Sequence, residues 1–143
     1  MLNGDKILKV FSDSIIFSTK GEFDFVDLSK EVDKIIQKSG IKEGIAFVFA
    51  GHATGVIVIN GFDPHLMQDI KDFLNNLIPT DKNYHHSVNA FAHLRSMFLT
   101  PSKIVPVRKG RLALGTWQNI FWVEVEIRPR NRKVDVYVIG NHK

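Results

Sequence analysis

The sequence predicts a single α+β domain, residues 1–143, in which a mainly antiparallel sheet is covered by two amphipathic helices and a short third helix. Apolar residues recur twice at helical spacing in the first eighty positions, and they alternate at a spacing of two in the last third. The predicted strands follow one another with short connections, which favours antiparallel pairing. Because 143 residues is the usual size of one domain, we expect one core of about seven to eight strands.

The opening third of the chain predicts two strands and a helix. The strands cover residues 6–11 and 21–26, with a less regular apolar piece between them. The helix covers residues 27–39, because Asp27 can cap its start and Gly40 stands where a C-terminal glycine belongs. Its apolar stripe consists of Leu28, Val32, Ile35 and Ile36.

The middle third predicts two more strands, residues 44–50 and 55–60, followed by the second main helix. This helix covers residues 64–78, because Asp63 is a capping residue, a proline suits the first helical turn, and Pro79 ends the pattern. Its apolar stripe consists of Leu66, Ile70, Phe73, Leu74, Leu77 and Ile78.

The last third predicts a short helix over residues 90–98 and then four strands. Residues 103–107 and 111–114 flank a hairpin turn with its glycine. The clearest alternation of the chain follows, and residues 134–138 repeat it after a basic turn. In that alternation one face carries Phe121, Val123, Val125 and Ile127, and the other carries Trp122, Glu124, Glu126 and Arg128.

The formal net charge of +4 does not by itself predict nucleic-acid binding. Much of the excess lies in residues 108–111 and 128–133, which look like turns where long charged side chains are solvated. No aromatic residues interleave with these segments, as a single-strand-binding surface requires. A salt-dependent shift of RNA or DNA would favour the opposite interpretation.

The absence of cysteine excludes thiolate metal sites, redox motifs and cysteine nucleophiles. The first residues are polar where a signal peptide needs an apolar stretch. The densest apolar runs are far shorter than the ~20 residues that span a bilayer. We therefore expect a cytoplasmic protein that does not enter a membrane.

Five of the six histidines lie between positions 52 and 93. Three imidazoles and a water make an open zinc site, but no short metal motif such as His-Glu-x-x-His is present. Composition alone therefore favours ordinary surface and capping histidines. His52 is the most suggestive, because its glycine-flanked turn follows an apolar strand and allows backbone N–H groups to approach an anion. The alternative is a plain hairpin turn.

Other polar residues also have both a functional and a structural interpretation. Asn89 and His93 are four apart and share a helix face, or Asn89 caps the helix and His93 merely packs. Trp117 beside Gln118 can stack on a flat ring, or the tryptophan belongs to the core. Three arginines can hold phosphate or are solvated charges, namely Arg95, Arg108 and Arg111.

Three ordered blocks of this sequence resemble the signatures of the YjbQ family, also called the secondary thiamine-phosphate synthase family. The first block contains Gly51-His52-Ala53-Thr54, Ile59-Asn60 and Asp63-Pro64. The second contains Tyr84-His85-His86 and Asn89-Ala90-Phe91-Ala92-His93. The third contains Leu99-Thr100-Pro101-Ser102, Pro106-Val107, Gly110-Arg111-Leu112 and Leu114-Gly115-Thr116-Trp117-Gln118. Together the blocks cover residues 44–140.

The resemblance implies a homotrimer with a β-sandwich-like core and a histidine-lined pocket near the subunit interface, where zinc, another divalent metal or a small anion can bind. It also implies an activity that joins a hydroxymethylpyrimidine diphosphate to a thiazole phosphate, giving thiamine phosphate. The catalytic and metal-binding residues that it implies are His52, His86 and His93. The residues expected to bind the phosphorylated metabolite are Asn60, Asp63, Asn89, Arg111, Thr116, Trp117 and Gln118.

Two positions depart from the family pattern. Gly61 replaces the acidic residue that commonly follows the matched Asn60. The spacing from His86 to Asn89 is one residue shorter than usual, so His85 can stand in for His86. The sequence therefore leaves two functions open, a low-turnover enzyme of the thiamine-phosphate synthase type or a non-catalytic trimer that binds a metal or a small anion.

Overall fold

The computed structural model describes residues 7–142, and the order of its helices and strands is the predicted one. Residue 6, where the first predicted strand starts, lies outside the described residues. The helices are α1 (Ser29–Ser39), α2 (Pro64–Leu77) and α3 (Ala90–Leu99). The strands are β1 (Lys9–Thr19), β2 (Phe25–Asp27), β3 (Glu43–Ala50), β4 (Ile57–Asn60), β5 (Ser102–Arg108), β6 (Arg111–Leu112), β7 (Asn119–Val123) and β8 (Arg130–Asn141).

The strands form two antiparallel sheets. One has the order β1-β8-β3-β5-β6 and the other β2-β7-β4. Ile120 and Trp122 of β7 share one core with Val48 and Val136 of the larger sheet. The two sheets therefore pack face to face as a sandwich, which confirms the α+β prediction.

Strand β7 is buried on both faces and separates two cores. On one side it meets the larger sheet together with α1. On the other side, Phe121 and Val123 pack with Leu74 of α2 and Phe91 of α3. This arrangement places the start of α3 and the residues after β7 at the same end of the small sheet.

Helix α1 begins two residues later than predicted. Leu28 occupies the N-cap position, and the carboxylate of Asp27 accepts a hydrogen bond from the backbone N–H of Ser29 at 3.0 Å. Gly40 ends the helix with a φ of 73°, as predicted. The apolar stripe is buried at Leu28, Val32, Ile35 and Ile36.

Helix α2 has the predicted start. Asp63 accepts from the backbone N–H groups of His65 and Leu66 at 3.0 and 3.1 Å. Its stripe is only partly buried, because Phe73 and Leu77 remain 52% and 49% exposed. The Phe73 side chain instead meets that of Phe98 from α3, with ring centres 6.0 Å apart.

Strands β1, β7 and β8 differ most from the predicted pattern, and β8 already starts at Arg130, so residues 130–133 of the predicted basic turn are strand. Strand β1 is continuous, because it pairs with β8 along its whole length. Strand β7 stops at Val123 and does not continue to Ile127. The chain leaves the sheet there because Glu124 and Glu126 turn inward to polar partners, and both are buried.

Candidate functional site

The start of α3 brings two predicted histidines together. The rings of His86 and His93 lie edge to face, with centres 5.1 Å apart and planes at 85°. They border a cavity of about 400 Å³. The cavity is lined by Tyr84, His85, His86, Ala90, His93 and Leu94. His85 shares the cavity, but the contacts with His93 and Asn89 are made by His86.

Asn89 occupies the N-cap position of α3, yet its side chain makes no capping hydrogen bond. Its Oδ1 lies 3.0 Å from Nε2 of His86, and its Nδ2 donates to Oε2 of Glu126 at 2.6 Å. Asn89 is therefore the N-cap residue by position, as one of the two interpretations has it, but its side chain does not cap the helix. The side chain bridges the exposed imidazole of His86 to the buried carboxylate of Glu126.

His52 lies in the turn between β3 and β4. Its Nε2 accepts a hydrogen bond from the backbone N–H of Lys133 at 3.0 Å. Its ring meets Trp122 edge to face, with centres 6.0 Å apart. Burial lowers the pKa of His52 below its ordinary value of 6.5, and the neighbouring guanidinium of Arg132 lowers it further. His52 is therefore a neutral, partly buried imidazole at neutral pH.

The side chain beneath His52 is not the solvated cation that the sequence predicted. Arg132 is buried and donates to both carboxylate oxygens of Glu124, at 2.7 and 2.5 Å, and to Thr54 at 3.1 Å. Burial raises the pKa of Glu124, but hydrogen bonds from Arg132, Thr19 and the N–H of Glu126 outweigh it and bring the pKa below its ordinary value. The sequence does contain a signal for this burial. Arg132 lies two residues before the inward-facing valines of β8, so the alternation of a strand places it on the same face.

Arg95 is a second cation that the sequence interpretation placed in solvent and the structure buries. Its guanidinium donates to Ile78 O and pairs with Glu22. It also lies over the rings of Phe23 and Phe91, about 5 Å from each. It acts as a structural link between α3 and the loop before β2, and its charge is not available to a phosphate.

Most of the predicted metabolite-binding residues lie at the opposite end of the small sheet. Asn60 ends β4 and pairs with Asn119 at the start of β7, whereas the histidine pair lies near the other end of β7. A Cβ on Gly61 would lie 4.0 Å from Asp63 Oδ2 and 3.8 Å from Trp117 O. This end also contains Thr116, Trp117 and Gln118 in the loop that precedes β7.

The loop before β7 presents a tryptophan to solvent. Trp117 is 85% exposed, so the interpretation that it belongs to the core is wrong for the chain described here. Gln118 closes the loop, since its Oε1 accepts from Gly115 N at 2.9 Å. Arg111 pairs with Asp33 at 2.8 Å beside a separate cavity of about 260 Å³. Its predicted phosphate contact therefore competes with an ion pair already present in the chain.

The three histidines do not form a metal site within one chain as described. Among residues 7–142, no three His, Asp or Glu side chains are placed to hold a metal ion. Nε2 of His52 and Nε2 of His86 each have a protein partner already. A metal shared by His52, His86 and His93 stays a prediction. Within the same range, no helix combines the length and the apolar character needed to cross a membrane.

The comparisons with known proteins agree with the fold and the motifs. A UPF0047 protein from Methanothermobacter thermautotrophicus is 37% identical over 93% of this chain and 94% of its own length. A UPF0047 protein from Synechocystis is 31% identical over 98% and 99%. Among solved structures, a YbjQ-like protein from Sulfolobus solfataricus superposes with a TM-score of 0.90 at 38% identity, covering 94% of this chain and 100% of that one.

A second solved structure, a YjbQ/UPF0047 protein from Clostridium acetobutylicum, has a TM-score of 0.83 at 34% identity, covering 88% and 98%. The family model described as "UPF0047 protein YjbQ-like" matches residues 13–141. That match includes the histidine pair, the buried Glu124–Arg132 pair and the Trp117 loop. On this evidence the chain belongs to the YjbQ-like UPF0047 family.

Proposed function

We propose that the chain is a low-turnover transferase that joins a hydroxymethylpyrimidine diphosphate to a thiazole phosphate at the pocket of His86 and His93. The observation that carries the proposal is this pair of imidazoles, one of them held by Asn89, at the border of a cavity of about 400 Å³. A cavity of this volume is in the range of small-molecule sites. Two imidazoles at its border supply hydrogen-bond donors and acceptors.

The reaction is a substitution at the carbon that links the pyrimidine to its diphosphate. The ring nitrogen of the thiazole forms a new C–N bond, and the C–O bond breaks with its electron pair going to pyrophosphate. Hydrogen-bond donors aimed at the leaving oxygens stabilise the charge that develops there. His85 and His93 line the cavity and can donate in this way, and His86 lines it beside them.

Zinc or another divalent metal would bind only in the assembled oligomer. The donor atoms do not converge within one chain as described.

The proposal includes a homotrimer. One patch of the outer face of the large sheet is apolar, since Phe47 lies between Phe49 and Tyr137 with ring centres 5.9 and 6.5 Å away. Ile104 of the adjacent strand is 60% exposed. A sheet with one solvated face normally alternates apolar and polar residues, so this face fits a second copy of the chain better than water.

Assembly would also relate the two separated groups of predicted residues. The Trp117 loop and the histidine pair lie at opposite ends of the small sheet, so one chain does not bring them to a single ligand. A neighbouring copy can supply one group to the other. This supports a site shared between subunits.

A second candidate function is binding of a small anion without turnover. The observation that favours it is Gly61, which leaves the end of β4 without the acidic side chain common in the family. Arg111, the cation expected to hold phosphate, is also engaged by Asp33. Both features reduce the chemistry available to the metabolite-binding end.

The experiment is a direct assay of thiamine phosphate formation from the two phosphorylated substrates. We expect product above background with the wild type, and a loss of ~10²–10⁴-fold in His93→Ala, the range for a lost acid–base group. His65→Ala is the matched control, because His65 is an exposed histidine on α2. Wild-type protein that gives no product but binds pyrophosphate would contradict the enzyme and support the binding protein.

A further inference from the structure

The buried carboxylate of Glu126 is a residue for which neither the motifs nor the proposed reaction accounts. Its side chain is 2% exposed. It accepts from Asn89 Nδ2 at 2.6 Å and from the backbone N–H of Ile127 at 3.4 Å. A buried carboxylate is costly, so its position calls for a role that a neutral side chain would not fulfil.

The position of Asn89 is equally unusual. A side chain at the N-cap normally accepts a hydrogen bond from the first helical turn, which stabilises the helix. Asn89 uses both of its polar atoms elsewhere, on His86 and on Glu126. The geometry therefore favours the bridge over the cap.

The chemistry of the three groups fixes the orientation of the bridge. A carboxylate only accepts hydrogen bonds, so the amide of Asn89 must turn its Nδ2 towards Glu126. Its Oδ1 then faces Nε2 of His86, and an amide oxygen requires a donor. Nε2 of His86 must therefore carry the proton, which leaves the lone pair of the neutral ring on Nδ1.

We propose that Glu126 is a positioning residue that fixes the tautomer and the ring orientation of His86 through Asn89. His86 itself is exposed, so without this bridge its ring would be free to rotate and to exchange tautomers. Buried partners commonly fix histidines that serve as ligands or bases in this way. The value of the bridge for catalysis rests on the proposed function, whereas the tautomer is a property of the free protein.

The experiment measures the tautomer of His86 by nitrogen NMR on the full chain labelled with ¹⁵N-histidine, in the absence of substrate and at a pH where the ring is neutral. His86→Gln assigns the signals by their loss. We expect wild-type His86 to be protonated at Nε2 alone. In Glu126→Gln, an amide can both donate and accept, so we expect the His86 signals to shift to a mixture of both tautomers.

Two controls accompany this measurement. Glu31→Gln changes an exposed carboxylate on α1 and should leave His86 unchanged. The exposed His65 should report no shift in any variant. If Glu126→Gln does not fold, Asn89→Ala breaks the same bridge, and the wild-type tautomer remains a test of its own.

A wild-type His86 protonated at Nδ1, or a folded Glu126→Gln with unchanged His86 signals, overturns the inference. The result is separate from that of the activity assay. A fixed Nε2–H tautomer in a protein without product would retain the positioning role and reject the transferase. Product formation by the wild type, together with an unchanged His86 tautomer in Glu126→Gln, would retain the transferase and reject the positioning role.

Discussion

The guanidinium of Arg132 is sandwiched between the carboxylate of Glu124, 2.5 Å away, and the ring of Trp122, whose centre is 4.9 Å from its Cζ. Both charged side chains are almost fully buried. This pair lies between His52 and the Glu126 bridge, since Glu124 also accepts from the N–H of Glu126 at 3.0 Å. It forms the polar base beneath the candidate site.

Arg132→Met should destabilise the fold by ~3–5 kcal/mol, because it leaves a buried carboxylate without its cation. Adding Glu124→Leu should recover part of that loss, since the unpaired charge is then removed. Urea unfolding of the single and double variants measures both effects. Arg130→Met is the matched control, because Arg130 is an exposed arginine on the same strand, and it should change stability by less than ~0.5 kcal/mol. A similar small effect for Arg132→Met would contradict the buried pair.

His52 should make stability depend on pH below its ordinary pKa. Burial and Arg132 lower the folded-state pKa below 6.5, so the unfolded chain binds the proton more tightly. Its contribution is therefore present above pH 6.5 and is lost as the pH falls through the folded-state pKa. We expect His52→Gln to lose less stability than the wild type as the pH falls below 6.5.

His65→Gln, which removes an exposed histidine on α2, is the matched control variant. The contribution of Glu124 is present above its ordinary pKa of 4.5 and is lost as the pH falls through its lower folded-state pKa. Parallel pH profiles of wild type and His52→Gln would show that the imidazole does not titrate differently in the fold.

The fold was predictable because its local signals agree with each other. Asp63 and Gly40 have the capping geometry that their residue types predict. Helix α1 buries its whole stripe. The exposed Phe73 and Leu77 could not be predicted, since the same periodicity describes a helix buried against its own chain and one with a surface left for another partner.

The candidate site was only partly predictable. The four-residue spacing of Asn89 and His93 placed both at the start of α3 correctly, but the bridge from Asn89 to Glu126 spans 37 residues of sequence and depends on how β7 ends. The alternation of β8 predicts that Arg132 faces inward. Its position in a run of charged residues instead led to the interpretation that it is solvated. The separation of Asn60 from the histidine pair follows from strand register, which the motifs do not specify.

Gly61→Glu should raise product formation if an acidic side chain at this position assists the family's reaction. A Cβ here would meet Leu66 Cδ2 at 3.2 Å, which a small side-chain shift relieves. Gly61→Ala is the matched control, because it adds the same contact without the carboxylate. Equal activity in both variants would show that the acidic group is not needed. Rates from the thiamine phosphate assay decide between these outcomes.

The assembly should be a trimer held through the outer face of the large sheet. Light scattering at micromolar concentration should give three times the mass of one chain for the wild type. Ile104→Lys should reduce it, because a charge would be placed on an apolar face without a partner. Phe98→Lys, on the exposed face of α3, is the comparison variant and should leave the mass unchanged. A monomeric wild type would contradict the trimer and the shared site.

The most direct test of the proposed site is to map by NMR where inorganic pyrophosphate binds on the ¹⁵N-labelled full chain. We expect titration to shift the ring signals of His86 and His93 together, with His65 unchanged, and His93→Ala to weaken binding. Shifts confined to Arg111 and its cavity beside Asp33, or saturable binding with His86 and His93 unmoved, would contradict the assignment of the functional site to the start of α3.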